Sequence, residues 1–322
     1  MNIVEFNKGY IRDVESILKD NPFDFIARQR FIDKARYIKY LLYNIQNKAS
    51  RKNNVLLAKE GKNISGLIVS EFAQWDSVYF GLPMGKISFF IGLNNDPEIK
   101  NRLLGALLEK CRLQGIAHLA IRVDTSDAGS IFILENHGFR LMTIEGVNLI
   151  RCLRPINFDN ADLHRLKIRP LEKRDISQII DIGREIASSL PAHYSYDLVL
   201  PQEKRQDYYI EKVKNCCKGK DKVLVLLKDK EAIGFFAYQV PADFARIVGL
   251  KQAFVSLIGI ALRQRGKNIA APFIYRSCQL ILKEADYITG RVYLHNQPMS
   301  RLLDKICSFP FSQYLCCFHK CL

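Results

Sequence analysis

From Asn21-Pro22 onward, Phe25, Ile26, Phe31, Ile32, Ala35, Ile38, Leu41, Leu42 and Ile45 fall near helical spacing, which predicts a helical opening to the chain. The pattern then changes to short apolar runs. Residues 54–59 and 64–72 read as two strands joined by the turn Glu60-Gly61-Lys62-Asn63. A loop is expected at 74–81, followed by a strand at 86–91. Asn95-Asp96-Pro97 caps a helix running to about Gln114, and Gly115 ends it. A strand at 118–123, a short helix at 126–137 and a hairpin from Gly138-Phe139 to Leu153 complete this half.

Residues 154–164 are polar, contain a proline and lack periodicity, so they read as a linker. The second half then repeats the order of elements. A strand at 166–169 precedes a helix capped by Asp175, and a second helix covers 201–217. Strands at 222–228 and 232–239 meet at Asp229-Lys230-Glu231. Next come a strand at 254–262, a loop at 263–268 and a long helix to 284. A strand at 287–294, a helix at 297–305 and a terminal strand at 311–319 finish the chain. Both halves read β-α-α-β-β-β-α-β-α-β. Element order repeats while sequence hardly does, which predicts two α/β domains at 1–153 and 165–322 and excludes a solenoid.

Composition narrows this picture only modestly. The chain has 322 residues, 48% hydrophobic and 25% charged, enough for two globular cores. Nine cysteines, with adjacent pairs at 216–217 and 316–317 and no Cys-x-x-Cys, predict a reducing, cytoplasmic setting. No apolar run reaches the ~20 residues of a membrane span. A net charge of +15 attracts anions generally, nucleic acid included. The basic residues are scattered, however, and no nucleic-acid motif accompanies them. Oligomeric state is not legible.

The strongest local signal runs from Val255 to Ala270. An apolar strand enters a short basic, glycine-containing loop, and the loop enters a helix. Such a junction aims backbone N–H groups and a helix dipole at one small volume suited to a pyrophosphate. Gly266 and Ala270 let an anion approach the backbone, while Arg265 and Lys267 add charge at the rim.

Here the sequence resembles the GCN5-related N-acetyltransferase superfamily, whose cofactor loop reads (Gln/Arg)-x-x-Gly-x-(Gly/Ala). The matching residues are Arg265, Gly266, Lys267, Asn268, Ile269 and Ala270. Asn268 stands where the family has glycine, and asparagine is the best non-glycine residue for a left-handed backbone. Residues 168–175 look like the family's opening strand and helix cap, and 228–236 like its second hairpin. The resemblance covers nearly all of 165–322. It implies two modules, each a mixed, mostly antiparallel sheet flanked by helices, with acetyl-CoA as co-substrate. It further implies that Leu257, Ile258, Gly259 and Ile260 offer backbone groups to the thioester arm, with Asn296 touching that arm.

The N-terminal half resembles the family in Val123-Asp124-Thr125-Ser126-Asp127 and in Ser130 to Phe139. Its cofactor loop, Gly92 to Glu98, carries Asp96, Glu98 and Pro97 instead of Arg-x-x-Gly. Carboxylates repel a pyrophosphate and proline removes an amide donor. This half reads as a degenerate copy.

Direct attack of an amine on a thioester asks the protein for positioning and proton management. The tyrosine that often serves the family as general acid falls at Leu303, so Tyr293 and His295 are the nearest titratable replacements. Cys317, His319 and Cys321 would share one strand face, but no second ligand pair accompanies them, and no metal is expected. Trp75-Asp76-Ser77 with Phe80-Gly81 resembles a short motif in relatives of the dTDP-fucosamine acetyltransferase, which turns the acceptor toward amino sugars. The expected activity is N-acetyl transfer to a primary amine of a small molecule. The competing reading is a non-catalytic module that senses acyl-CoA or binds nucleic acid through its basic surface.

Overall fold

The computed structural model describes residues 1–49, 53–156, 158, 166–307 and 311–322. In the first half these form β1 (Asn2–Glu5), α1 (Ile11–Lys19), α2 (Lys34–Lys48), β2 (Asn54–Glu60), β3 (Asn63–Phe72) and α3 (Gln74–Phe80). They continue as β4 (Met84–Gly92), α4 (Pro97–Leu113), β5 (His118–Asp124), α5 (Ala128–Asn136) and β6 (Arg140–Ile150). The second half forms β7 (Leu166–Pro170), α6 (Ile176–Ser189), α7 (Gln202–Asn215), β8 (Lys222–Lys228), β9 (Glu231–Gln239) and α8 (Ala242–Val248). It ends with β10 (Gln252–Ile260), α9 (Ala270–Ile281), β11 (Tyr287–Tyr293), α10 (Gln297–Ile306) and β12 (Gln313–Cys321). This is a mixed α/β architecture, as the residue pattern implied.

Two compact units emerge, and they are not the two contiguous halves. One unit holds 1–144, 247–249 and 314–322; the other holds 145–246 and 250–313. In the first, strands run β1-β2-β3-β4-β5-β12; in the second, β7-β8-β9-β10-β11, followed by β6 from Glu145 onward. Each sheet is thus finished by the last strand of the other half. Cys317 pairs with Arg122 in the first unit, and Val147 pairs with Arg291 in the second. The expected boundary at 153–165 marks chain order only. Most of that linker, residues 157 and 159–165, lies outside the described residues.

Within each unit one strand pair is parallel, β4 with β5 and β10 with β11, and the remaining neighbours are antiparallel. Helices α4 and α5 bury Leu103, Leu104, Leu107, Ile133 and Leu134 against one sheet. Helices α9 and α10 bury Phe273, Ile274, Cys278, Leu303 and Ile306 against the other. Side chains three and four apart make these faces, which is why periodicity found the helices.

Three local expectations need correction. The helix foreseen from Asn21 starts only at Lys34, where the Asp33 side chain accepts from Arg36 N at 3.0 Å; residues 21–32 are turns closed by Asn21 and Asp24 carbonyl and carboxylate groups. The loop foreseen at 74–81 is helix α3, ended by Gly81 in the left-handed region. Helix α8 was not foreseen at all, because its seven residues are too few for a periodic signal.

Candidate functional site

Strand β10 is apolar and pairs along its whole length with β9, but with β11 only at three positions, from Gln252–Tyr287 to Phe254–Thr289. Beyond that point the two strands separate. The register against β9 shifts between Val255 and Leu257, making Ser256 the extra residue of a β-bulge at the fork. A cleft of about 840 Å³ opens there, within the size range of small-ligand pockets.

The cleft is built from β10, the loop behind it, and the ends of three helices. Ile258, Gly259 and Ile260 line it from the strand. The chain then makes a short 3-10 turn over Leu262–Gln264, passes through left-handed Gly266 (φ 76°) and Asn268 (φ 56°), and enters α9. Ile269 at the cap position supplies no side-chain hydrogen bond to the first turn of α9. The amide donors there are therefore left for a ligand, and the dipole adds positive potential. Arg265, Gly266, Asn268, Ile269 and Ala270 all face the cleft.

Its charge is one-sided. Arg265, Arg301 and Lys305 line the cleft, and among the described residues no aspartate or glutamate does. Arg265 donates to Ser189 Oγ at 3.0 Å, bracing the loop against the end of α6. Lys305 also lies 5.8 Å from the centre of the Phe158 ring, which lines the same cleft. Sequence reasoning missed Arg301, Lys305 and the α6 wall of Ile186, Ser189 and Leu190. The (i, i+4) spacing of Arg301 and Lys305 on one helix face was the available signal.

Of the residues singled out from sequence, Ile258, Gly259, Ile260, Arg265, Gly266, Asn268, Ile269, Ala270, His295 and Asn296 come together around this cleft. Leu257, Lys267 and Tyr293 are not among its lining residues. Alternation along the strand turns Leu257 away, and Lys267 is exposed. Asn296 caps α10, its side chain accepting from Met299 N at 3.3 Å. The Gly259 position has a packing reason as well, since a Cβ there would lie 2.6 Å from Ile186 Cδ1 and 2.5 Å from Phe235 Cε1.

The rings of Tyr293 and His295 stack at 5.3 Å with 6° between planes. His295 Nε2 lies 3.3 Å from the Pro191 carbonyl, which can only accept, so that contact uses a proton on Nε2. The Tyr293 hydroxyl accepts from His193 N at 3.3 Å. Beside it, burial and then Tyr293 itself push the Tyr209 phenol well above its ordinary value. Leu303, at the family's tyrosine position, is buried among apolar neighbours.

The corresponding place in the first unit is closed. The Asp96 side chain accepts from Glu98 N at 2.8 Å and Ile99 N at 3.3 Å, so the start of α4 is capped from within. Lys100, 1% exposed, bonds Asp127 at 2.9 Å and Ser130 Oγ at 2.7 Å, and also Asn95. Burial, opposed by Asp127, holds the Lys100 ammonium below its ordinary pKa. Of the two loop acids expected to repel a pyrophosphate, Asp96 instead caps the amides, Glu98 pairs with Arg102, and the buried cation is taken up by Asp127. Trp75 stacks on Tyr79 within α3, Ser77 Oγ accepts from Met84 N at 2.9 Å, and Asp76 pairs with Lys86 at 2.5 Å. That segment is explained by docking α3 and gives no support to a sugar acceptor.

In the terminal strand, Cys317 and His319 are buried with Sγ and Nε2 3.8 Å apart, while Cys321 is exposed. The common strand face is as anticipated, but the exposed Cys321 is separated from the buried pair.

No family model matches the chain, and no curated protein sequence matches it. Solved structures do. A GCN5-related N-acetyltransferase from Sphaerobacter thermophilus superposes with a TM-score of 0.58 at 11% identity, over 99% of this chain and 95% of its own. A tandem GNAT protein from the clavulanic acid biosynthesis pathway gives 0.53 at 10% identity, over 99% and 98%. A GCN5-related N-acetyltransferase from Kribbella flavida gives 0.51 at 12%, over 89% and 95%. The described helices include none long and apolar enough to cross a membrane. Across nearly its whole length, this chain shares the tandem fold of the GCN5-related N-acetyltransferases.

Proposed function

We propose that the second unit binds acetyl-CoA and transfers its acetyl group to a primary amine of a small molecule. One observation carries this reading: an uncapped helix start, reached through left-handed Gly266 and Asn268, opens on a cleft at a strand fork that Arg265, Arg301 and Lys305 line. A pyrophosphate would accept from the amides at 266–270, with Arg265, Arg301 and Lys305 on the cleft wall neutralising its charge. The thioester arm would run along Ile258 to Ile260 toward the fork, passing Asn296. His295 is the imidazole on the cleft wall and is assigned to protonate the leaving thiolate, with Tyr293 orienting its ring.

A second reading, an acyl-CoA sensor without turnover, is favoured by the buried Leu303 where the family carries a hydroxyl. The experiment separates the two. Acetyl-CoA at a hundredfold excess over its Kd should stabilise the protein by about 2.7 kcal/mol, and Arg265→Glu should abolish the shift. Thiol release should then depend on added amine, in a panel that includes glucosamine. Binding without amine-dependent release in the whole panel supports the sensor; no thermal shift at all removes both readings.

A further inference from the structure

The cleft holds more positive charge than a pyrophosphate uses. A pyrophosphate esterified at both ends carries one negative charge on each phosphorus. Arg265, Arg301 and Lys305 supply three positive charges, and the start of α9 adds about half a charge more. Among the described residues no carboxylate lines the cleft, and none pairs with Arg301 or Lys305.

The three cations are not placed alike. Arg265 is tied to its own loop and to α6, donating to the Ile260 carbonyl at 3.4 Å and to Ser189 Oγ at 3.0 Å. Arg301 and Lys305 stand on α10, both exposed, one turn apart and so on one face of the helix. Neither belongs to the strand-loop-helix segment at 255–270.

Phe158 stands beside them on the cleft wall. Its partly buried ring lies 5.8 Å from Lys305 Nζ and meets the Tyr275 ring at 5.4 Å with 67° between planes. That edge contact fixes the orientation of the phenyl ring. A nucleobase of any identity stacks on such a ring, and neighbouring cations take up its phosphate.

Resting on the acetyl-CoA reading above, we infer that Arg301 and Lys305 bind the 3′-phosphate of the coenzyme while its adenine stacks on Phe158. The 3′-phosphate is a monoester carrying roughly two negative charges at neutral pH, which offsets the surplus in the cleft. Arg301 can offer two parallel N–H donors to its oxygens, and Lys305 acts as a point charge. The cleft thereby distinguishes the complete coenzyme from its 3′-dephospho form.

Calorimetry on the full-length protein tests this with three ligands: acetyl-CoA, acetyl-dephospho-CoA and S-acetyl-4′-phosphopantetheine, which lacks the adenosine. The parent protein should bind acetyl-CoA about thirtyfold more tightly than acetyl-dephospho-CoA, within the range for hydrogen bonds to a charged group. Arg301→Ala with Lys305→Ala should bring the two affinities within about threefold, by weakening acetyl-CoA alone. Phe158→Ala should weaken both adenosine-bearing ligands about tenfold and leave S-acetyl-4′-phosphopantetheine unchanged. Phe158→Tyr, which keeps a ring, should retain affinity. Thermal unfolding of each free variant reports folding independently of the ligand.

Equal affinity of the parent for both coenzyme forms, or an equal loss of both in the double substitution, would overturn the phosphate assignment. A Phe158→Ala loss shared by S-acetyl-4′-phosphopantetheine would overturn the stacking. A parent protein that does not bind acetyl-CoA would instead remove the cleft reading on which the inference rests.

Discussion

Lys100 Nζ lies 2.9 Å from Asp127 Oδ2, both side chains almost wholly buried, at the helix start that corresponds to the open end of α9. The first unit carries its own cation where the second leaves room for an anion. A buried pair of this kind costs desolvation to form, but losing one partner strands a charge in the interior.

Asp127→Ala should therefore destabilise the protein by about 3–5 kcal/mol in urea unfolding, without changing the stabilisation that acetyl-CoA adds. Replacing both residues, as Lys100→Met with Asp127→Leu, should recover a large part of the loss. A double mutant no more stable than Asp127→Ala would show that the pair is not the source of the effect.

Asn268 holds a left-handed conformation (φ 56°) that costs a non-glycine residue about 1–2 kcal/mol. Asn268→Gly should keep or tighten acetyl-CoA binding, measured by calorimetry. Asn268→Val, a β-branched residue in that region, should weaken it at least tenfold, since about 1.4 kcal/mol of misplacement is a factor of ten.

Gly259→Ala should cost about 1–3 kcal/mol of stability through overpacking against Phe235 and Ile186. Thermal unfolding measures this. A neutral result would mean that α6 moves freely over the strand.

Asp175 accepts from both Arg169 Nη groups, at 2.7 and 2.9 Å, and from Glu172 N at 2.8 Å. The Arg169 bond holds its carboxyl below the ordinary 3.8, so the stabilisation is complete above that value and is lost as pH falls through the lowered one. Asp175→Asn should remove this part of the acid dependence. The comparison is unfolding free energy between pH 6 and pH 2 for the two proteins.

Salt gives a further check on the cleft. Arg265, Arg301 and Lys305 are partly solvated, so acetyl-CoA affinity should fall as sodium chloride rises from 0.05 to about 1 M, where the screening length drops to ~3 Å. Arg301→Ala with Lys305→Ala should reduce that slope. A slope unchanged by the double substitution would place the ligand's charge elsewhere.

Local signals carried much of this molecule. The repeated order of elements, the strand-loop-helix junction at 255–270 and the acidic loop at 92–98 are each set by residues adjacent in the chain, where turn chemistry, caps and periodicity act. Asn268 in the left-handed region follows directly from its side chain and its neighbours. Other features needed the whole chain in place. That β6 and β12 finish each other's sheets depends on pairings such as Cys317 with Arg122, which are far apart in sequence and have no local signature. Arg301 and Lys305 join the cleft only because α10 packs against α9, and Lys100 reaches Asp127 only across 27 positions. The bond from Ser256 to Asp221 spans 35 positions. Propensity acts within a few residues, whereas sheet order and the choice of which charges meet are decided by the burial that tertiary packing imposes.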